Sequence, residues 1–265
     1  METGLYPIRH RRAEAALNYL NYVIKERPTL PWIALQEAQS LAVKGDNSWL
    51  KDLHMYLGKI APKINFELGG PLTVSFVSGI RKRLGRNLQS SLKSLASESE
   101  RIPLINERFA HNGPSATTLA MRLYLTEDMP QEVRKAITRL VSGDHPLAIE
   151  ALRRMPAGRK IRREWRVCRF CHDKTAIEDE GHVLLKCTDP RVVALRTEFY
   201  WRALEKDEAF EEPHPNVETN RATIRLLLRT VLLPRLAGCV HTLFRLCEDT
   251  PTLLITSKEE WMALE

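Results

Sequence analysis

The stretch CRFCHDKTAIEDEGHVLLKC, residues 168–187, constrains the fold more than any other part of the chain, because it gathers three of the five cysteines and two of the eight histidines. The spacing is C-x2-C-x10-H-x4-C, through Cys168, Cys171, His182 and Cys187. A C-x2-C pair on a tight turn aims two sulfurs at one point, and a histidine and cysteine five apart on a helix present a second pair about one and a half turns apart. Three thiolates and one imidazole form the closed tetrahedral set of a structural zinc site, which leaves no position for substrate or activated water. The expected cofactor is therefore one Zn2+ that stabilises and does not catalyse. Glu178, Asp179 and Glu180 stand where a ligand helix would begin, and carboxylates there offset the positive end of its dipole. Val183, Leu184 and Leu185 supply its packing face. Two alternatives stay open: four unconnected core residues, cysteine being commonly buried, and His172 as a rival ligand, although directly after Cys171 it would strain the turn. Cys239 and Cys247, with His241 between them, lack a C-x2-C pair and read as buried residues of an apolar helix.

An odd number of cysteines leaves one over in any disulfide scheme, so metal ligation outranks bridging. The start, METGLYPIRHRR, has no apolar signal-peptide core, and the most apolar run, IRLLLRTVLLPRLAGCV, is interrupted by Arg225, Arg229 and Arg235. The expectation is an intracellular protein, nuclear or cytoplasmic, neither secreted nor membrane-bound.

Aromatic residues make up 7% of the chain and charged ones 28%, which favours a helical protein over a β-sandwich. Apolar positions Ala13, Ala16, Leu17, Leu20, Val23 and Ile24 recur at helical spacing until Pro28 and Pro31. A second helix ends near Gly45, and Asn47 or Ser48 caps a third. Gly69, Gly70 and Pro71 make a turn before a helical stretch at 73–99, whose end, KSLASESERIP, is polar enough for an exposed connector. Asp128 is a candidate cap for a helix that begins near Pro130, and Gly143 with Pro146 separates it from a shorter one. Further helices are expected at 189–208 and, bent at Pro234, at 219–247. The fold class is mainly α, a multi-helix bundle with a small CCHC zinc knuckle inserted between helices. Its parts are an N-terminal helical region at 1–110, a zinc-binding domain at 115–208 and a C-terminal helical segment at 218–265.

The formal net charge is +7, and its location is informative. Residues 153–169, RRMPAGRKIRREWRVCR, hold eight Lys/Arg and one acid, Glu164; outside this window the chain totals of 40 and 33 leave 32 basic and 32 acidic residues. Such a cluster can neutralise phosphates with release of counterions, giving salt-sensitive, sequence-indifferent affinity. The candidate contacts are Arg153, Arg154, Arg159, Lys160, Arg162, Arg163, Arg166 and Arg169. Trp165 could stack on an unpaired base or pack beneath the metal turn. A solvated basic face is the competing reading of the run. RKRLGR at 81–86 and RHRR at 9–12 read as helix surfaces.

The knuckle, following KAITRLVSGDHPLAIEALRR and followed by TDPRVVALRTEFY, resembles the zinc-binding segment at the carboxyl end of reverse transcriptases of non-LTR (LINE-type) retrotransposons. The usual form there is an arginine-rich helix, C-x2-C, a spacer, E-x2-H-x-L-x-x-C and a further helix. Here Asp179 stands three positions before His182 and Glu180 two; all four ligands are present. The likeness covers about residues 130–205. More loosely, GLYPIRHRRAEAALNYLNYVI and LLLRTVLLPRLAGCVHTLFRLCEDTPTLLI resemble the downstream region of such elements in mushroom-forming (basidiomycete) fungi. The resemblance implies a tail that helps to hold template RNA or target DNA, beside a reverse transcriptase core. The parent family is an RNA-directed DNA polymerase whose aromatic-x-Asp-Asp motif holds two metal ions, and this chain has no Asp-Asp dipeptide. It also lacks a P-loop, a G-x-S-x-G elbow and an H-E-x-x-H helix. Glu127-Asp128 and Glu211-Glu212 read as solvated caps. The expectation is a non-catalytic, zinc-stabilised nucleic-acid-binding module, its partner RNA or DNA. The alternatives are a zinc-ordered scaffold that docks on a polymerase core, for which Leu226, Leu227, Leu228, Leu232 and Leu233 offer an apolar face, and a decayed element with no selected role.

Overall fold

The computed structural model describes residues 5, 7–62, 64, 66–99, 102–106, 121–156, 161–212, 220–228 and 231–264. Among them the chain is mainly helical, without a strand, and an isolated antiparallel bridge joins Val167 and Ile177. It divides into two compact units, one built on residues 1–95 and the other on residues 96–106 and 121–265.

The first unit contains α1 (Ile8–Glu26), α2 (Thr29–Lys44), α3 (Trp49–Ile60) and most of α4 (Val74–Ser97). Helices α1, α2 and α3 pack against one another. The apolar stripe of α1 is buried as its periodicity requires, through Ala13, Leu17, Leu20, Val23 and Ile24, and it shares one core with Leu35, Leu50, Leu53, Leu57, Phe66, Val77 and Ile80. Gly45 closes α2 at φ +87°, a conformation that costs a glycine nothing. Ser48 then caps α3 by accepting from the Lys51 N–H. Helix α4 reaches Ser97, so the first part of the expected connector is helical; Glu100 and Arg101 lie outside the described residues.

In the second unit α8 (Leu233–Asp249) packs on α5 (Gln131–Ser142) and on α6 (Pro190–Leu204). The facing side chains Ile137, Leu140 and Val141, Val192 and Phe199, and Leu236, Val240, Leu243 and Phe244 are all buried. The metal-ligand segment and the C-terminal helices thus share one unit; the boundaries expected at 110 and 218 fall outside the described residues.

Two expectations need correction. The 219–247 stretch is two helices, α7 (Asn220–Leu227) and α8, because Pro234 occupies the first turn of α8, where its missing N–H is no loss, instead of bending a continuous helix. Asp128 does not cap α5: Pro130 holds the cap position, and no side-chain hydrogen bond is made there. No helix among the described residues is long and apolar enough to cross a membrane.

Candidate metal centre

The loop that carries Cys168 and Cys171 is held at its base by the Val167–Ile177 bridge. There the Cys168 N–H donates to the Ala176 carbonyl (3.0 Å) and the Glu178 N–H to the Arg166 carbonyl (2.9 Å). The His172 N–H returns to the Cys168 carbonyl (3.0 Å), and His172 takes φ +56°, the left-handed residue that lets the turn close. Its ring faces the Arg169 carbonyl at 2.8 Å, so His172 is not a ligand.

The other two ligands come from a π turn, His182–Lys186, and not from the α-helix expected. On an α-helix residues five apart point about 140° away from each other. Here the Cys187 N–H donates to the His182 carbonyl (2.7 Å), an i→i+5 bond that closes one wide turn on these two residues and brings them to one side. The Asp179 carboxylate accepts from the His182 N–H (2.8 Å) and so fixes the start of the turn.

The four ligand atoms lie within 4.8 Å of one another. Cys168 Sγ and Cys187 Sγ are 3.8 Å apart, and Cys171 Sγ is 3.4 Å from His182 Nε2. Metal–sulfur bonds of about 2.3 Å and metal–nitrogen bonds of about 2.0 Å at tetrahedral angles require about 3.8 Å between sulfurs and about 3.5 Å between sulfur and nitrogen. The donor set therefore fits a tetrahedral ion. Cys168 and Cys187 are fully buried, Cys171 and His182 half-buried. The hydrogen bond between Cys168 and Cys187 pulls the Cys187 thiol below its ordinary value and, with burial, pushes that of Cys168 up; burial also raises Cys171. Crowding three thiolates is costly without a cation, and a bound dication would remove that cost.

Glu178 and Glu180 do not serve the turn's dipole; both are buried, against buried cations or polar groups. Glu178 Oε1 meets Arg169 Nη2 at 2.7 Å, and its carboxylate also accepts from the N–H groups of Ala148 (2.7 Å) and Arg169 (2.7 Å). Glu180 Oε1 is 3.0 Å from His145 Nε2, whose ring stacks on Phe244. Sequence reading missed Glu178, Glu180 and His145 as supports of the site. The available signal was three acids, Glu178, Asp179 and Glu180, between the apolar residues Ile177 and Val183, a context in which charge is seldom left unpaired.

The basic window divides by direction. Arg169 is buried, and its guanidinium also donates to the carbonyls of Pro146 (2.7 Å), Cys247 (3.1 Å) and Thr250 (2.9 Å). Arg166 is buried and donates to the carbonyls of Ile149 (2.9 Å) and Ile161 (3.0 Å). For these two the expected phosphate contact is corrected: both guanidinium groups are buried and donate to interior carbonyls that would otherwise be unpaired. Arg153 is held by Glu150 at 2.5 Å, and Arg154 by Asp144 and by the Gly143 carbonyl (2.8 Å). Arg162 and Arg163 are exposed, and the Arg162 guanidinium lies 4.9 Å over the Trp165 ring. Trp165 itself is half-buried against the cluster of Ala148, Leu152 and Ile161. Arg159 and Lys160 lie outside the described residues.

Cys239 and Cys247 stay apart from the ligand group, and burial pushes both thiols up to about 12. Of the leucines expected to offer an apolar face, Leu227, Leu228, Leu232 and Leu233 are core residues and Leu226 is exposed. The chain matches no protein-family model, no curated protein and no solved structure.

Proposed function

We propose that Cys168, Cys171, His182 and Cys187 hold one structural Zn2+ and that the second unit is a non-catalytic nucleic-acid-binding module, a relative of the tail of non-LTR reverse transcriptases. The observation that carries the metal assignment is the separation of the ligand atoms, 3.8 Å between sulfurs and 3.4 Å from sulfur to nitrogen. Soft thiolates with one imidazole in a tetrahedron favour zinc over magnesium or calcium, and a site with four protein ligands is full. Zinc fixes the loop that follows the turn of Arg162, Arg163 and Trp165, on which the two arginines face outward, next in sequence to Arg159 and Lys160. The exposed guanidinium groups take phosphates, and the half-buried indole offers an edge to a base.

The test is retention of labelled single-stranded RNA by the zinc-loaded protein as salt is raised, with a variant carrying Glu at 159, 160, 162 and 163. Affinity and salt slope should both fall. Equal binding by this variant would remove the nucleic-acid role from the unit and leave the metal assignment standing.

The scaffold reading retains one supporting observation, Trp201 on α6, which is 67% exposed beside the exposed Leu204. Binding to a polymerase fragment that survives high salt without nucleic acid, and is lost in Trp201→Ala, would favour it.

A further inference from the structure

The two minor basic clusters, nearly seventy residues apart in sequence, meet in the first unit. His10 and Glu14 of α1 line one small cleft together with Arg81, Leu84, Gly85 and Leu88 of α4. Arg81 Nη2 stands 3.7 Å from Glu14 Oε1 across it. Within a turn of these residues, Arg11 and Arg12 on α1 and Lys82 and Arg86 on α4 are all exposed. Helix α4 contains five Lys/Arg in 24 residues and no acid, so over about 36 Å it offers no carboxylate to neutralise them. On α1 the acids are Glu14, already facing Arg81, and Glu26 at the far end, paired with Lys25 at 2.8 Å. Burial and the nearby Arg9 lower the His10 pKa, which keeps His10 neutral and leaves the charge of the face to the four exposed cations.

Two tyrosines lie on the same arc of α1. At about 100° per residue, Arg11, Arg12, Tyr19 and Tyr22 fall within roughly a quarter turn or slightly more, and both rings are 51% exposed. Cations at one end of an arc that continues, about 10 Å along the helix, into exposed aromatic rings suit a polyanion that also presents flat faces, which is the chemistry of an unpaired nucleic-acid strand. An acidic protein would use the charge and leave the rings idle. A lipid surface would call for aliphatic residues along the arc, where Ile8 is the exposed one.

We infer that the face formed by α1 and α4 is a second strand-binding surface, with Arg11, Arg12, Lys82 and Arg86 on phosphates and Tyr19 and Tyr22 stacked on bases. It extends the nucleic-acid reading given above to a site that shares no residue with the basic window of the second unit, so either can fail alone.

The experiment measures anisotropy of a labelled oligouridylate with the full-length protein between about 50 and 200 mM salt. Four proteins are compared, with circular dichroism to verify folding: the parent, R11Q/R12Q/K82Q/R86Q, Y19A/Y22A and R162E/R163E. The four-fold neutral variant should flatten the slope of log K against log salt by up to about 2.8, at about 0.7 per lost phosphate contact. Y19A/Y22A should weaken binding about fivefold or more per ring with the slope preserved. Parental slope and affinity in the four-fold variant would overturn the inference, as would loss of binding to phosphatidylserine vesicles with RNA binding intact. A deficit confined to R162E/R163E refutes this surface and supports the second unit; a deficit confined to the α1/α4 variants does the reverse.

Discussion

Replacing Glu178 by Gln removes one negative charge from a site where Glu178 is 0% and Arg169 3% exposed, without changing the volume of the side chain. All five guanidinium N–H groups of Arg169 are engaged: Nε and one Nη2 proton with Glu178, the other Nη2 proton with Pro146, and the Nη1 protons with Cys247 and Thr250. The substitution therefore leaves a buried cation without its counter-charge and turns an amide N–H toward donors. Breaking a buried pair from one side costs about 3 to 5 kcal/mol, which for a unit of this size lowers the melting temperature by about 6 to 20 °C. Replacing both partners by Leu should not recover the loss, in contrast to simpler ion pairs, because the carbonyls of Pro146, Cys247 and Thr250 and the N–H groups of Ala148 and Arg169 would all lose their partners. The assay is urea unfolding of the metal-loaded protein followed by amide hydrogen exchange in α8, so that the signal comes from the second unit alone. If Glu178→Gln unfolds within about 1 kcal/mol of the parent, well under that range, the claim that this pair ties the metal loop to α8 is refuted.

Three further outcomes are expected. His10 is buried with a pKa below that of the unfolded chain, 6.5, so the unfolded state binds more protons as pH falls through that value; the first unit should lose stability by at most about 1.4 kcal/mol per pH unit below it, and His10→Leu should abolish this slope in a urea-melt series. Ser48→Ala removes the acceptor for the Lys51 N–H and should destabilise the first unit by about 1 kcal/mol, measured by the midpoint of its urea transition. A thiol reagent at mildly alkaline pH should leave Cys239 and Cys247, both raised to about 12, unmodified in the native metal-loaded protein and modify them only in denaturant or once a chelator has removed the metal; five fast thiols in the native metal-loaded protein would contradict the shielding of these two.

The helices were legible where one local rule decided the structure. Gly45 and Ser48 end and begin helices through bonds to residues three to four positions away, and the stripe from Ala13 to Ile24 needs only the helical period. The clustering of Cys168, Cys171, His182 and Cys187 was legible too, because C-x2-C and H-x4-C spacings are local. The turn that joins His182 to Cys187 was not: whether a five-residue segment winds as α or π depends on which carbonyl Cys187 reaches, and that follows from the docking of the whole loop. Hidden most completely was the inward direction of Arg166 and Arg169. Their partners stand 5 to 81 positions away, and nothing in the run RRMPAGRKIRREWRVCR distinguishes an arginine that donates to Thr250 from one that faces water. Local charge density marks out the window but does not sort its members.

Metal content of the purified chain tests the account most directly, by elemental analysis of protein passed through metal-free buffer. One zinc per chain is expected, reduced to well under one in Cys187→Ser, with exchange protection lost in α8 after chelation. Metal-free protein whose second unit keeps native exchange protection would contradict the assignment of Cys168, Cys171, His182 and Cys187 as the ligands that hold this unit together.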